Sequence, residues 1–343
     1  MKYVLKFFLG ACLLINSPFV LAQKKQGNLS SVVQISNYTT SAAISSSILA
    51  TSLGGMNMFR WRMGATDSNG EKYASGGMSI QTRGGNSEGF LAGSAASSDT
   101  EDSPWSIWGT PVVSDFENKI APLTSQGSIG IGLLGVEYRH EDDWIGGVSI
   151  GFDRLTATTL YNDGDLTGKG YTIAPYFVYQ PTPTRAIDAS FGLGKSNFNS
   201  VVGSVISAPV DDRKLVSLGI TDVRQFGKFV AMLKGSYSIV SDEIAAFNSS
   251  DGQSNEATST LLKQFKIGGQ LSRTFGMATP FIAYYFLLND FSANGGILKP
   301  VEYSEIGQLQ FGVNVSKGMF FGSLSSQMEK DRRQLRLYVG VRY

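Results

Sequence analysis

A single histidine is the first residue to consider for acid–base chemistry, because the chain contains no other. His140 lies in the run Arg139-His-Glu-Asp-Asp143, which has the composition of a tight, polar turn. Catalysis requires several polar groups held in one geometry. A lone histidine in a charged turn favours a solvated side chain. We therefore predict that the chain has no catalytic residues and is not an enzyme.

Acidic side chains offer two candidate sites for a divalent cation. The run Glu141-Asp-Asp143 supplies the hard oxygen ligands that Ca²⁺ prefers, but three adjacent acids in a tight turn do not all converge on one ion. The run Asn162-Asp-Gly-Asp-Leu166 resembles part of a calcium loop, yet it lacks the later glutamate, which favours a turn. No phosphate loop and no nucleophile elbow occurs. The sequence predicts no metal site and no cofactor.

The N-terminus has the pattern of a secretory signal peptide over residues 1–22. Two lysines give a positive start, Phe7 to Ile15 form an apolar core, and Val20-Leu-Ala22 provides small residues before the cleavage point. A lipoprotein signal ending at Cys12 is the alternative, although its apolar run is too short. Cys12 is the only cysteine, so the mature chain would have no disulfide and no thiolate metal site.

The last ten residues show the pattern that recurs through most of the chain. Side chains of a strand alternate between its two faces. From Gln334 to Tyr343 one face is wholly apolar, and the other carries Arg336 and Arg342. Beyond the predicted signal, no run of eighteen apolar residues is available for a membrane-spanning helix. If this chain enters a bilayer, it must do so as a closed barrel.

Twelve candidate strands of about ten residues follow one another from Trp105 to Tyr343. In the third, fifth, eighth and tenth strands the apolar face carries no charge. A lipid-facing surface requires this, because Arg or Lys at mid-membrane costs about 2–4 kcal/mol. The pattern predicts an all-β, twelve-stranded antiparallel transmembrane β-barrel. Its lumen-facing candidates are Asp153, Asp188, Lys234, Lys266, Glu329, Arg336 and Arg342.

Several strands have individual features. In the second strand the apolar residues change parity between Leu133 and Leu134, which predicts a β-bulge. Pro175 in the fourth strand lacks an N–H group and marks a bulge or a missing ladder bond. The lipid-facing part of the sixth strand should end before Asp222. The ninth strand, Phe281 to Leu288, is apolar on both faces, so its register is left open.

The connections alternate in length, and outer-membrane barrels have short periplasmic turns and long external loops. The last external connection, around Asp331 to Arg333, is short and departs from this rule. The predicted short turns are 140–143, 181–184, 227–228, 276–278 and 317–319. The predicted long connections are 114–126, 156–167, 197–212, 242–260 and 289–305. This topology places both barrel ends and His140 at the periplasmic side. The aromatic residues that flank the short turns are predicted to form one interfacial girdle: Tyr138, Trp144, Tyr179, Phe229, Phe275, Phe320, Phe321 and Tyr343.

Residues 23–104 precede the barrel and differ from it in composition. The stretch from Ser30 to Leu53 has no charged residue and no proline, and its apolar residues recur at helical spacing before Gly54-Gly55. We predict a slim helix over about residues 30–53, positioned in the lumen, and a Gly/Ser-rich linker after it. A flexible Ser/Thr linker is the alternative.

The order and spacing of five motifs resemble the autotransporter β-domain family, over residues 105–343. The motifs are Trp105-Ser-Ile-Trp-Gly109, Gly132-Leu-Leu-Gly-Val-Glu-Tyr-Arg139, Trp144-Ile-Gly-Gly-Val-Ser-Ile-Gly-Phe152, Gly170-Tyr-Thr-Ile-Ala-Pro-Tyr176 and Leu337-Tyr-Val-Gly-Val-Arg-Tyr343. The resemblance implies twelve strands, a lumenal helix, and insertion into a Gram-negative outer membrane by the barrel assembly machinery. The assembly-signal candidates that it implies are Leu337, Val339, Val341 and Tyr343. In that family the barrel helps to export an N-terminal passenger, whereas only residues 23–104 precede this barrel.

Two functions follow as hypotheses. The first is an outer-membrane barrel that resembles an autotransporter translocator domain without a large passenger and displays its external loops. The alternative is a passive or plugged pore for small solutes, because mixed lumenal charges either line a channel or pair and close it. The expected partners are outer-membrane lipid, the barrel assembly machinery, and host or surface ligands that the loops contact. The formal net charge of +1 indicates no nucleic-acid partner.

Overall fold

The computed structural model of the chain describes residues 104–119, 124–140, 144–160, 162–182, 184–227, 229–275, 277–295, 301–317 and 320–342. The predicted signal peptide and the predicted helix over about residues 30–53 lie outside the described residues, as do residues 141–143 and Tyr343. Within the described ranges, no helix is long and apolar enough to cross a membrane.

Twelve long strands form the fold, and we number them in chain order. They are β1 Trp105–Asn118, β2 Ser125–His140, β3 Trp144–Thr159, β4 Gly164–Thr182, β5 Arg185–Val202, β6 Val210–Phe226, β7 Phe229–Ile244, β8 Thr258–Arg273, β9 Ala278–Asn294, β10 Val301–Lys317, β11 Phe320–Met328 and β12 Arg332–Arg342. Three short strands lie in the connections: Val205–Ser207, Phe247–Asn248 and Ser254–Asn255.

Each long strand pairs antiparallel with its neighbours in the chain, and the sheet closes on itself. The closing pair is β1 with β12, where Ser106 lies opposite Arg342 and Phe116 lies opposite Arg332. Closure leaves none of the twelve strands at an open edge, which is the arrangement that a sheet in lipid requires. The predicted twelve-stranded antiparallel barrel is confirmed.

Most of the strands are longer than the ten or so residues that the sequence pattern predicted. β4 has 19 residues, and the shortest strand, β11, has 9. The predicted lengths followed the apolar alternation, which stops where the outward side chains become charged. The backbone ladder does not stop there, because outward Lys169 still pairs with Asn197 across β4 and β5.

The two ends of the barrel differ in their connections, as predicted, although the long ones are shorter than the sequence suggested. At the short-turn end, β6 ends at Phe226 and β7 begins at Phe229. At the other end, which we call the long-connection end, residues 245–257 separate β7 from β8 and residues 203–209 separate β5 from β6. The predicted long connection between β3 and β4 is wrong, because the ladder leaves only residues 160–163 between them.

The predicted bulge in β2 is also wrong. β2 pairs with β1 and β3 over Ser125 to His140 without a shift of register. Ile131 and Leu133 point inward and are buried, whereas Leu134 points outward and is exposed. The change of apolar parity therefore marks two apolar patches on opposite faces of one regular strand. The sequence-based inference assumed a polar inner face, and that assumption fails here.

Two outward prolines, Pro111 and Pro175, each interrupt a ladder without changing its register, as predicted for Pro175. β4 and β5 pair at Ile173 and again at Tyr176 in one register, and the ladder skips the two residues between them. Pro111 has the same effect on the closing ladder between β1 and β12. A proline lacks the N–H group that a ladder bond needs. An outward proline therefore weakens one side of a strand while the barrel stays closed.

Candidate functional site: the lumen and the outer wall

The outer wall carries an apolar belt of membrane height. On β5 the belt lies between Arg185 and Lys195, and on β8 it lies between Lys263 and Arg273. Each interval is a step of ten residues (195 − 185 and 273 − 263), so it covers about 33 Å along the strand at about 3.3 Å per residue. A tilt of about 40° reduces this to about 25 Å, which is the height of the lipid-facing band of outer-membrane barrels.

Outward side chains within the belt are large, apolar and contiguous. On β5 and β8 they include Ile187, Phe191, Leu193, Phe265, Ile267 and Leu271. A water-soluble monomer does not expose an apolar surface that runs round its whole circumference. The first charged outward residue of β6 at the short-turn end, Asp222, pairs with Arg185 and Arg224 at 2.8 Å each. The apolar part of β6 therefore ends before Asp222, as predicted, and lipid is the medium around the belt.

Aromatic side chains line the short-turn border of the belt. Tyr179, Phe229, Phe275 and Phe320 are exposed on the outside, and the ring of Trp144 lies 5.8 Å from that of Phe177. Phe321 was placed in this girdle by mistake. It points into the lumen, is 6% exposed and lies 5.6 Å from the Tyr338 ring. Two consecutive strand residues cannot share a face, so only Phe320 belongs to the girdle.

Inside the barrel, Arg213 on β6 is the centre of an ionic cluster. Its Nε donates to Asp242 at 2.8 Å on the adjacent strand β7, and its Nη1 donates to Asp153 at 3.4 Å on β3. Its Nη2 lies 3.6 Å from a carboxylate oxygen of Asp211. The guanidinium is fully buried, and all three carboxylates are almost completely buried. One arginine therefore links β3 to β6 and β7, which lie on different parts of the wall.

A second network follows the inner face from β8 to β12. Lys266 donates to the Gln308 side-chain oxygen at 2.5 Å, and the Gln308 amide donates to Glu329 at 2.6 Å. Arg332 donates to the same carboxylate at 2.7 Å. The Lys266 ammonium also lies 4.1 Å from the centre of the Tyr285 ring. Hydrogen bonds to charged groups are stronger than neutral ones. This network, together with the ring contact, therefore holds β8, β9, β10 and β12 together.

A third group lies near the short-turn end and was not singled out from the sequence. Buried Glu137 accepts hydrogen bonds from Ser106 at 2.7 Å and from Tyr176 at 2.5 Å. The Trp108 indole donates to the Tyr176 hydroxyl at 3.0 Å. Gly135 leaves room for the Trp108 ring, because a Cβ atom there would collide with it. The alternation of β2 contained the signal, since outward Val136 requires an inward Glu137.

Most of the charged residues proposed as lumen-facing lie on the inner face. Asp188 and Lys234 are both buried, and their charged atoms lie 3.5 Å apart. The others that the structure places inside are Asp153, Lys266, Glu329 and Arg336. The Arg342 side chain lies outside the described part of the chain. Of the assembly-signal candidates, Leu337, Val339 and Val341 lie on the outward face of β12.

The candidate Glu141-Asp-Asp143 lies outside the described residues, and within them no group of three His, Cys, Asp or Glu side chains is placed to hold a metal ion. Asp163 has a positive φ of 52° in the connection from β3 to β4. The hydroxyl of Thr159 donates to the Asn162 side chain and accepts from the Gly164 N–H, the latter at 3.2 Å. This stretch is therefore a hydrogen-bonded turn. His140 is exposed at the end of β2, with its ring 4.9 Å from that of Trp144.

Solved structures share this barrel. The translocator domain of autotransporter NalP from Neisseria meningitidis matches 71% of this chain and 90% of its own length, with a TM-score of 0.61 and 12% sequence identity. The β-domain of the Bordetella autotransporter BrkA matches 70% of this chain and 99% of its own length, with a TM-score of 0.52 and 14% sequence identity. The transport unit of autotransporter AIDA-I from Escherichia coli matches 73% of this chain and 92% of its own length, with a TM-score of 0.53 and 12% sequence identity. The chain has an autotransporter β-domain-like fold.

For this autotransporter-like barrel, the predicted resemblance is confirmed at the level of the fold. The fold, together with the apolar belt of membrane height, also confirms the predicted location in a Gram-negative outer membrane. No protein-family model matches the sequence, and no curated protein is significantly similar to it. Pattern and topology, rather than sequence identity, therefore carry the likeness.

Proposed function

We propose that this chain is an autotransporter-like outer-membrane barrel that displays an ordered external surface. The observation that carries the proposal lies at the long-connection end. The Ser250 N–H donates to the Ile206 carbonyl at 2.8 Å, and the Ile206 N–H donates to the Ser250 hydroxyl at 2.9 Å. These bonds join the connection between β5 and β6 to the connection between β7 and β8.

Internal hydrogen bonds give this surface a defined shape. In the β7–β8 connection, the Ser249 N–H donates to the Gln253 carbonyl at 2.9 Å, and Asn255 donates to the Ser249 hydroxyl at 2.8 Å. Ile206 nevertheless leaves 49% of its surface exposed at the tip. A preorganised surface loses less entropy when it binds a partner than a flexible loop does. Ligands on a host cell or another surface are its proposed partners.

Cysteine labelling on intact cells tests the sidedness that display requires. The only cysteine of the chain lies in the predicted signal peptide, so a single introduced thiol is unique in the mature barrel. We expect a membrane-impermeant maleimide to label Gln253→Cys on whole cells. The matched control is Met277→Cys, whose side chain is exposed at the short-turn end. It should react only after the outer membrane is permeabilised, and the reverse pattern would refute the proposal.

Binding by the displayed surface needs a separate measurement. Deletion of residues 249–254, replaced by a Gly-Ser linker, should leave the barrel folded while adhesion of the cells to host-cell or matrix proteins falls. The proposed role contains no catalytic step. Hydrolysis that is lost in His140→Ala would contradict this part of the proposal.

A passive or plugged pore is the second candidate, and the inner charges favour it. Lys266, Glu329 and Arg332 line one side of the lumen and would bias the passage of ions. Planar-bilayer recording of the mature protein tests this role. A current that rises after deletion of Ser30 to Leu53 would indicate a plugged channel, whereas silence in both forms would leave display as the role.

A further inference from the structure

Two cations on the outer wall lie directly opposite each other at the border of the apolar belt. Arg154 on β3 pairs in register with Lys169 on β4, and both side chains are exposed. Immediately nearer the short-turn end, Phe152 lies opposite Tyr171, and these two are 58% and 47% exposed. A positively charged pair therefore lies directly against lipid-facing aromatic rings, at the long-connection side of the membrane.

The pair lacks the carboxylates that accompany similar cations elsewhere on the wall. Lys214 lies 2.9 Å from Glu243, Lys195 lies 3.3 Å from Asp212, and Lys263 lies 3.4 Å from Asp290. Within the described part of the chain, neither Arg154 nor Lys169 makes a side-chain hydrogen bond or ion pair. Directly opposed like charges in a ladder destabilise it. An anion from outside the chain would remove this repulsion.

The neighbouring strand β5 adds a third cation, Lys195, which is shared with Asp212 on β6. Across β4 and β5, Lys169 lies opposite Asn197, so Lys195 is its diagonal neighbour on the outer face. Across β2 and β3, Arg154 lies opposite Gly130. Gly130 has no side chain to crowd the guanidinium, which leaves its planar fork open for a bidentate contact with a phosphate. Three cations thus border one site on the outer wall, and the side of this site nearer the short-turn end is apolar.

We propose that Arg154, Lys169 and Lys195 bind the phosphate of a lipid headgroup in the external leaflet, with its acyl chains on Phe152 and Tyr171. The position of the site at the border of the apolar belt favours this ligand, because its phosphate can contact the cations while its acyl chains contact the rings. The proposal depends on the position of the barrel in the membrane and not on what the external surface displays. Failure of the adhesion experiment would therefore leave it intact, whereas a reversed labelling pattern would contradict it by placing the site in the periplasmic leaflet.

Lipid binding to the purified mature protein in neutral detergent micelles tests the site. The probes are bis-phosphorylated lipid A, the same lipid without its phosphates, and inorganic phosphate, followed by native mass spectrometry. Each Lys or Arg near an anionic surface contributes about a factor of five in affinity, so we expect R154Q/K169Q to bind lipid A about thirty-fold more weakly. The dephosphorylated lipid should bind wild type and variant equally.

The matched control is K263Q/R333Q, which removes the same charge from outward positions of β8 and β12. It should keep the affinity of the wild type, and R154K should lose less than the double variant because it keeps the charge. If R154Q/K169Q fails to fold, wild-type affinity for lipid A must still fall as salt is raised, since exposed charges are screened. Equal loss in the control, equal affinity of the wild type for lipid A with and without its phosphates, or full displacement by inorganic phosphate would overturn the proposal.

Discussion

The inner faces of β2 and β3 differ from those of β6 to β12, although both line one lumen. The first region has a cluster of apolar side chains, with Ile129, Ile131, Leu133 and Leu155 almost fully buried, beside two buried acids, Glu137 and Asp153. The second holds the ionic groups, among them Arg213, Lys234, Lys266, Glu329 and Arg332. The apolar region resembles the core of a soluble domain, whereas the ionic region links distant strands by charge-assisted bonds.

This difference shows that a single rule for barrel interiors does not describe the molecule. Apolar contacts are non-directional, so the apolar inner residues of β2 and β3 need only volume and burial. Buried charges are directional and costly to leave without partners, so the ionic region fixes which strands face each other. Arg213 illustrates this, because its hydrogen bonds reach Asp153 on β3 as well as Asp242 on β7.

Removal of the central cation is the strongest way to break the comparison. Arg213→Met should destabilise the barrel by about 3–5 kcal/mol, because it leaves three buried carboxylates without their counter-charge. Urea unfolding in lipid vesicles, followed by tryptophan fluorescence, measures the loss. Neutralising Asp211 and Asp242 as Asn in the same chain should recover part of it. A simple sum of the separate effects would show that these side chains do not act as a unit.

A cavity in the apolar region should have a smaller, charge-independent effect. Ile131→Ala should cost about 2–5 kcal/mol, from lost apolar burial and the space left behind. The same unfolding assay measures it at low and high salt, and the loss should not change. Arg213→Met provides the comparison within the same lumen. A cost near zero would mean that water fills the space around Ile131 and that the region is not a packed core.

Two consecutive residues of β6 allow the outer wall to be compared directly with the lumen. Leu218 on β6 points to lipid and is 55% exposed, and its neighbour Ser217 points inward beside the ionic region. Leu218→Arg should cost about 2–4 kcal/mol and reduce the amount of assembled barrel. Ser217→Asn, a polar change on the inner face, serves as the control and should leave assembly unchanged. Normal yield and stability of Leu218→Arg would remove the argument for lipid around the belt.

Much of the fold could be predicted from the sequence because alternation is local. The outward residues of β5 and β8, such as Phe191 and Ile267, lie where their parity placed them. The errors arose at positions where the inner face carries apolar rather than polar side chains. Ile131 and Phe321 are apolar and buried, and a parity argument that assigns apolar residues to lipid places them outside.

The contacts of the site were less predictable than the faces. Alternation indicated that Asp153 and Lys234 point inward, but it contains no information about partners. Asp153 meets Arg213, sixty positions along the chain, only because closure and stagger bring β3 and β6 together through the lumen. The same limit applies to Lys169 opposite Arg154, which depends on the register of β3 and β4 rather than on either run of residues.

The mildest test separates charge from burial. Lys214 and Glu243 form an ion pair on the outer wall at 2.9 Å, but each side chain is 55% exposed. Lys214→Gln should leave the midpoint of urea unfolding almost unchanged, because water and salt screen an exposed pair. Raising the salt should reduce even this difference, as measured in the urea assay against wild type. A loss as large as that of Arg213→Met would mean that an ion pair contributes the same stability whether or not it is buried.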